Sequence, residues 1–465
     1  MTMTKDSQSP SWVVLKFGGS SVSSREDWNN IVGIIRSKLQ EGLKVAVVHS
    51  AFKNVTNRLE ELAQLAASNA HHELLDELKD YHQDMAEQLK LEPSLLAPWL
   101  NSLTKSAKDI VEGGELSSAL RAKVVAHGEL LSSALGAAFL EQQLAEDNKK
   151  TKWLDARDLF ISEVETHSNI NDQYLNAVCH PRPDHELAEQ WSQNYDVVLT
   201  QGFIASNEAG ETVLLGREGS DTSASYLAAL LEAKKLEVWT DVAGMFTTDP
   251  NKIADAKKLE QVSYAQAFEM AEAGAKVLHP RCLSTVMPYH IPIEIKNTHQ
   301  PLESGTLING EEQNSRWVKA IAIKQQVPVM TLLLGRRGQQ PKTLQKVFAI
   351  FNEMALGCEL LASTKESLVI AVETSNSVHD KHILNDLSVK LAEMCRSVLL
   401  SHSAIITLVG CPSSQALWHL LQIDAELPEQ WLLLSQTSSD QHLSFLVSDD
   451  EALDIVKLLH NHLIQ

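Results

Sequence analysis

Short apolar runs rich in β-branched residues recur through the first three hundred positions, each followed by a polar turn and a helical pattern. Trp12-Val13-Val14-Leu15-Lys16-Phe17 runs into Gly18-Gly19, and helical spacing follows over 25–41 with Trp28, Ile31, Ile34, Ile35 and Leu39 apolar. Further runs lie at 44–48, 196–199, 236–239 and 291–295, and longer helical stretches over 56–110 and 119–143. Runs that are apolar throughout have no face to leave in water. They predict an α/β domain with a mostly parallel sheet covered by helices on both sides. Ligands of such sheets sit beyond the carboxyl ends of the strands, so the residues just after each run are the candidates for chemistry.

From about Trp317 the elements shorten. Strand 329–334, helix 343–356, strands 358–361 and 367–372, helix 381–394 and strand 398–400 are followed by a similar series: strand 405–409, helix 414–421, strands 431–435 and 443–447, helix 451–464. Each series has a ferredoxin-like order, and its recurrence is an internal repeat. The expected organisation is a disordered tail over 1–11, a first domain over 12–309, a polar linker at 309–315, and repeat copies over 316–402 and 403–465, which can interleave.

Forty Lys+Arg against sixty Asp+Glu give a net charge of −20, which argues against nucleic acid or an anionic membrane as partner. The five cysteines are scattered without a CxxC pair, so they read as free thiols of a reducing compartment and form no metal site. With a polar opening and no bilayer-length apolar helix, a cytoplasmic protein is expected.

Five constellations carry chemistry. In Lys16-Phe17-Gly18-Gly19-Ser20-Ser21 the glycines let backbone approach a phosphate, amides at a helix start offer donors, and Lys16 supplies a point charge; a tight structural turn is the equal alternative. In Gly216-Arg217-Glu218-Gly219-Ser220-Asp221, Arg217 can grip a carboxylate through two nitrogens. Asp221 is open to three roles there: Mg²⁺ ligand, partner of Lys16, or helix cap, the last shared with Ser220. Val238 to Pro250 is a strand running into polar turns, with Thr240 and Asp241 against a nucleotide and Phe246 against its base as the functional reading. Gly274 to Pro280 offers Lys276 to phosphate from a loop. Glu129, in the apolar His127-Gly128-Glu129-Leu130-Leu131-Ser132 stretch, is costly unless paired; an ammonium group fits, and a salt bridge or an exposed position are the alternatives. Ser50 and Thr56 add hydroxyls at another strand end.

Taken together, KFGGSSV (16–22), SA…TN (50–57), HGELLS (127–132), TQGFIA (200–205), LGREGSD (215–221), WTDVAGMFTTDP (239–250), GAKVLHP (274–280) and GTLI (305–308) resemble the aspartate kinases of the amino-acid kinase superfamily over nearly the whole chain. The resemblance implies an αβα sandwich followed by two ferredoxin-like βαββαβ ACT domains, with ATP, Mg²⁺ and L-aspartate as reactants and 4-phospho-L-aspartate as product. By the same resemblance Lys16, Phe17, Gly18 and Gly19 hold the triphosphate, with Lys16 and Asp221 catalytic. Thr240, Asp241, Phe246, Lys276 and Val277 are implied to meet the nucleotide, and Ser50, Thr56, Glu129, Arg217 and Ser220 the aspartate. Lysine or threonine is the implied effector, at Phe348, Cys358, Glu359, Ser363 and Thr364, and ACT pairing implies a homodimer or higher homo-oligomer. Several positions depart from the pattern: Phe246 replaces a common Tyr, Asn251 an Arg, Glu359 an Asp or Asn, and Lys365 a Glu. A kinase for another amino acid and a catalytically idle amino-acid sensor are the competing readings.

Overall fold

The computed structural model describes residues 11–164, 169–275, 278–311, 318–334, 340–354, 356–373, 378–423, 432–435 and 442–464. The expected tail falls almost wholly outside them. The chain divides into two compact units, and the second takes in residues 246–257 and 269–276 besides 313–465.

The first unit is built on an eight-stranded sheet in the order 261–263, 306–309, 293–297, 235–240, 12–17, 44–49, 197–201, 151–154. The central pairings are parallel; Ile293–Asn297 and Thr306–Asn309 run antiparallel. Side-chain alternation decides which helix each strand residue meets. On one side of the Trp12–Phe17 strand, Trp12 packs edge-on against Trp191 of the His185–Asn194 helix, and Lys16 reaches Asp221 of the Gly219–Leu230 helix. On the other, Phe17 stacks on Trp239. Trp239 Nε1 in turn donates to Glu237, a fully buried carboxylate held by Lys38 and Lys235 at 2.9 and 2.6 Å. Both faces are covered, as the continuous apolar runs require.

Two helical stretches and four short strands differ from the sequence pattern. The helical stretch over 56–110 is three helices, Val55–Ala67, His72–Gln88 and Ala97–Gly113, because Asn69 and Lys90 take left-handed backbone (φ +56 and +59) and Pro93 and Pro98 start new turns. The stretch over 119–143 breaks at Ala126 into Ser118–Val125 and His127–Ala145, which sets Glu129 in a first turn. The short strands at 151–154, 204–206, 212–214 and 261–263 carry too few apolar residues to declare themselves.

The second unit holds a six-stranded antiparallel sheet in the order 358–363, 367–372, 320–333, 397–409, 442–448, 432–435. The strand patterns at 398–400 and 405–409 belong to one strand, Ser397–Val409, which pairs along most of its length with Ala320–Leu333. Residues 325 and 326 together oppose Ala404, and Gln326 is left-handed (φ +57): a bulge at the middle of both long strands. One core, with Met330, Val347, Ile370 and Leu387, forms under the 340–353 and 378–392 helices. Another, with Ile321, Ile406, Phe445 and Val456, forms under 413–422 and 452–463. Ile253 of the 246–257 segment lies in that second core, and Thr247 bonds His460 Nε2 at 2.9 Å.

In the first unit, a Cβ on Gly136 would stand 2.3 Å from Trp28 Cη2, where the 25–40 and 127–145 helices meet. Gly136→Ala is expected to destabilise that unit by ~1–3 kcal/mol through overpacking, read as a lowered thermal unfolding midpoint.

Candidate active site

Four strand ends of the first unit converge on the site. Lys16 Nζ lies 2.6 Å from Asp221 Oδ1, both groups nearly buried. Of the three roles open to Asp221, the structure shows pairing with Lys16. Neither Asp221 nor Ser220 caps the helix: the cap position is Glu218, in left-handed backbone (φ +52) without a side-chain cap bond. Ser220 instead packs on Gly202, whose Cβ, if present, would stand 2.5 Å from its Oγ.

The glycine loop is tighter than its sequence shows. A Cβ on Gly19 would lie 2.7 Å from the Ala51 carbonyl oxygen, so only glycine fits. The loop continues through a 3₁₀ turn, Gly19–Ser21, and the next helix begins only at Arg25, where Ser24 Oγ accepts from the Asp27 amide. Ser24 thus satisfies one amide of that helix start, while in the loop the Gly18 amide donates to the Trp239 carbonyl and the Ser21 amide to the Gly18 carbonyl. Ser23 ties the loop to the neighbouring strand end by donating to the Gly19 carbonyl (2.6 Å) and accepting from the Lys53 amide (3.0 Å).

Ala51 also holds a buried carboxylate. Its N–H donates to Glu129 Oε1 at 3.2 Å, while Glu129 Oε2 is buried with no hydrogen-bond partner. The 127–145 helix comes this close because residue 128 is glycine: a Cβ there would lie 3.0 Å from the Ala51 side chain and 3.2 Å from Leu59. Burial raises the Glu129 pKa to about 8, partly offset by backbone N–H groups. No Lys, Arg or His forms an ion pair with it among the described residues, so the salt-bridge and exposed alternatives both fall away. Thr56 stands half-buried in the first turn of the Val55–Ala67 helix, and Ser50 is half-buried at the strand end.

Arg217 is 66% exposed and pairs at 4.0 Å with Glu218. Thr240 is half-buried and donates to Asp241 Oδ1 at 3.2 Å, and the Thr240 carbonyl accepts from the Thr298 amide. Lys276 and Val277 lie outside the described residues. Phe246, half-buried, belongs to the second unit. In that unit Phe348, Cys358 and Ser363 are exposed, Glu359 pairs with Lys324, and Thr364 closes a turn by accepting from the Ser367 amide.

Sequence reasoning missed several residues here. Ser132 donates to the Ser50 carbonyl at 3.0 Å and stands 3.3 Å from His49 Nδ1. His49 lies flat on Trp28, and burial lowers its pKa to about 3. Ser132 lay inside a motif already noted, and His49 is the polar residue that ends the 44–49 strand. Both were visible signals. Among the described residues no group of three or more His, Cys, Asp or Glu could hold a metal ion.

Residues 11–297 match the model of the amino acid kinase family. The lysine-sensitive aspartokinase 3 of Escherichia coli is 31% identical over 97% of this chain and 99% of its own length. The chain belongs to the aspartokinases. Crystal structures of E. coli aspartokinase III agree with this: the complex with aspartate and ADP superposes with a TM-score of 0.81 at 28% identity, and the complex with lysine and aspartate with 0.78 at 29%, each over 97% of this chain and nearly all of the other. The αβα first unit and the antiparallel second sheet thus match the aspartokinase fold, the latter consistent with paired ACT repeats. No helix among the described residues is long and apolar enough to cross a membrane.

Glu129 gives this aspartokinase a pH signature. The folded chain keeps a proton on Glu129 up to about pH 8, whereas the unfolded chain gives it up near 4.5. The stability it lends is whole below pH 4.5 and drains as pH rises toward 8, at about 1.4 kcal/mol per unit at most. In urea titrations of the ligand-free protein, the wild type minus Glu129→Gln difference should fall across that window; a flat difference would mean Glu129 ionises normally.

Proposed function

We propose that this chain transfers the γ-phosphoryl group of ATP to the side-chain carboxylate of L-aspartate, giving 4-phospho-L-aspartate and ADP. The observation that carries the reading is the pairing, across Ala51, of a lysine-bearing glycine loop with a buried carboxylate that forms no ion pair among the described residues. One side suits phosphate and the other an ammonium group. Arg217 adds a guanidinium for the α-carboxylate, and Ser50, Thr56 and Ser220 supply hydroxyls around the substrate. Thr240, Asp241, Phe246, Lys276 and Val277 are assigned to the nucleotide.

In the reaction a carboxylate oxygen attacks the γ-phosphorus in line as the bond to the β,γ-bridging oxygen breaks. The nucleophile is already ionised at neutral pH, so no general base is needed. Lys16 neutralises the charge passing to the phosphoryl and leaving oxygens, and Asp221 orients its ammonium. Positioning and charge neutralisation supply the rate. Mg²⁺ would be carried chiefly by phosphate oxygens and water, which suits the lack of a three-ligand cluster among the described residues. When bound it would spread the phosphate charge.

Hydroxylamine trapping of the acyl phosphate, with ATP, Mg²⁺ and aspartate, tests the reading directly. Lys16→Ala should lower kcat by about 10²–10³; a wild-type rate would remove Lys16 from the chemistry. Glu129→Gln should raise the KM for aspartate and leave that for ATP unchanged. A chain that binds aspartate yet never turns over would be a sensor.

The second unit is proposed to bind an amino-acid effector near Phe348, Cys358, Glu359, Ser363 and Thr364, and to join copies of the chain. Support for the latter comes from the edge strand Cys358–Ser363, which carries the exposed Leu361. Millimolar lysine or threonine, alone or together, should lower the rate; no change with either would sink effector control.

A further inference from the structure

The segment 215–218 that presents Arg217 and leads to Asp221 is conformationally costly. Gly216 (φ +78) and Glu218 (φ +52) are both left-handed, and the second has a side chain to accommodate. Such a loop persists only if its surroundings hold it. Part of the hold is backbone: the Leu215 amide donates to the Phe203 carbonyl and the Ala177 amide to the Leu214 carbonyl, each at 2.8 Å. Part is steric, since a Cβ on Gly216 would stand 2.3 Å from Asn176 Oδ1.

The remaining clamp is one side chain from a distant helix. Arg281, near the start of Pro280–Val286, donates through Nη1 to the carbonyls of Leu215 (2.9 Å) and Ala177 (3.4 Å) and through Nη2 to Asn176 Oδ1 (3.2 Å). It thereby joins the start of the loop to the neighbouring 176–177 segment. Its own backbone is set in turn: the Arg281 amide donates to His279 Nδ1 at 3.1 Å. Arg281 forms no ion pair among the described residues; its donors are spent on neutral oxygens. A guanidinium without a carboxylate, satisfied by two carbonyls and an amide of separate segments, serves geometry more than charge. A lysine lacks the planar fork to span these acceptors.

We propose that Arg281 is a positioning residue for aspartate binding: it fixes the 215–218 backbone so that Arg217 and Asp221 are presented in register with the Glu129 side of the site. This rests on the reading of Arg217 as the carboxylate receptor. The position follows directly on the 274–280 motif, and nothing in its local pattern marks it.

Kinetics of Arg281→Met and Arg281→Lys test the assignment. Arg281→Met is expected to raise the KM for aspartate at least tenfold with the KM for ATP within twofold, and Arg281→Lys to recover only part of the loss; a displaced binding group costs about 10–10² in kcat/KM. An unchanged aspartate KM in Arg281→Met, equal effects on both substrates, or full recovery in Arg281→Lys would overturn it. If Arg281→Met does not fold, Asn176→Ala removes one acceptor and should show the same aspartate-selective rise, whose absence counts equally against the proposal. A wild type without aspartate-dependent turnover would refute the proposed function but not the clamp. Amide hydrogen exchange over 214–219 reads the clamp separately: it should quicken in Arg281→Met, and equal protection in both proteins would overturn it.

Discussion

The approach of Gly19 to Ala51 is the constraint on which the site depends. Two neighbouring parallel strands end there, and the missing side chain at 19 lets the glycine loop rest on the Ala51 carbonyl. The amide of the same Ala51 holds Glu129. One peptide segment thus spaces the lysine loop from the carboxylate that suits an ammonium. Any side chain at 19 would push the loop from Ala51, and any at 128 would push the Glu129 helix from it.

The ionisable groups around that point are held in unusual states by burial. Glu129 resists losing its proton, while His49, His82 and His127 resist gaining one, their pKa values lowered to about 3, 4 and 4. The histidines lend stability above their unfolded value near 6.5, which is lost as pH falls toward 3–4. Glu129 acts in the opposite direction. The two windows overlap between about pH 4.5 and 6.5, where a fall in pH removes histidine stabilisation and restores that of Glu129.

Much of this was legible in the chain. The parallel sheet follows from apolar runs that could not face water, and Lys16, Glu129 and Asp221 announced themselves as charges beside glycines or inside an apolar helix. Less visible were consequences of tertiary approach. Arg281 reaching back to Leu215 and Ser132 reaching Ser50 depend on contacts between positions far apart, which local periodicity does not encode. The long strands of the second unit were read as shorter pieces because the bulge at 325–326 interrupts one and the polar Ser401-His402-Ser403 run the other.

That bulged pair of strands makes the second unit hard to divide. Ala320–Leu333 and Ser397–Val409 each supply one end to either core, so severing the chain between the repeats would leave both halves with an open sheet edge and half a hydrophobic floor. The two repeats are therefore a single cooperative element. Strain at one end has a continuous hydrogen-bonded ladder along which to reach the other, and a fragment holding one repeat would be prone to pair with itself or with a neighbour instead of folding alone.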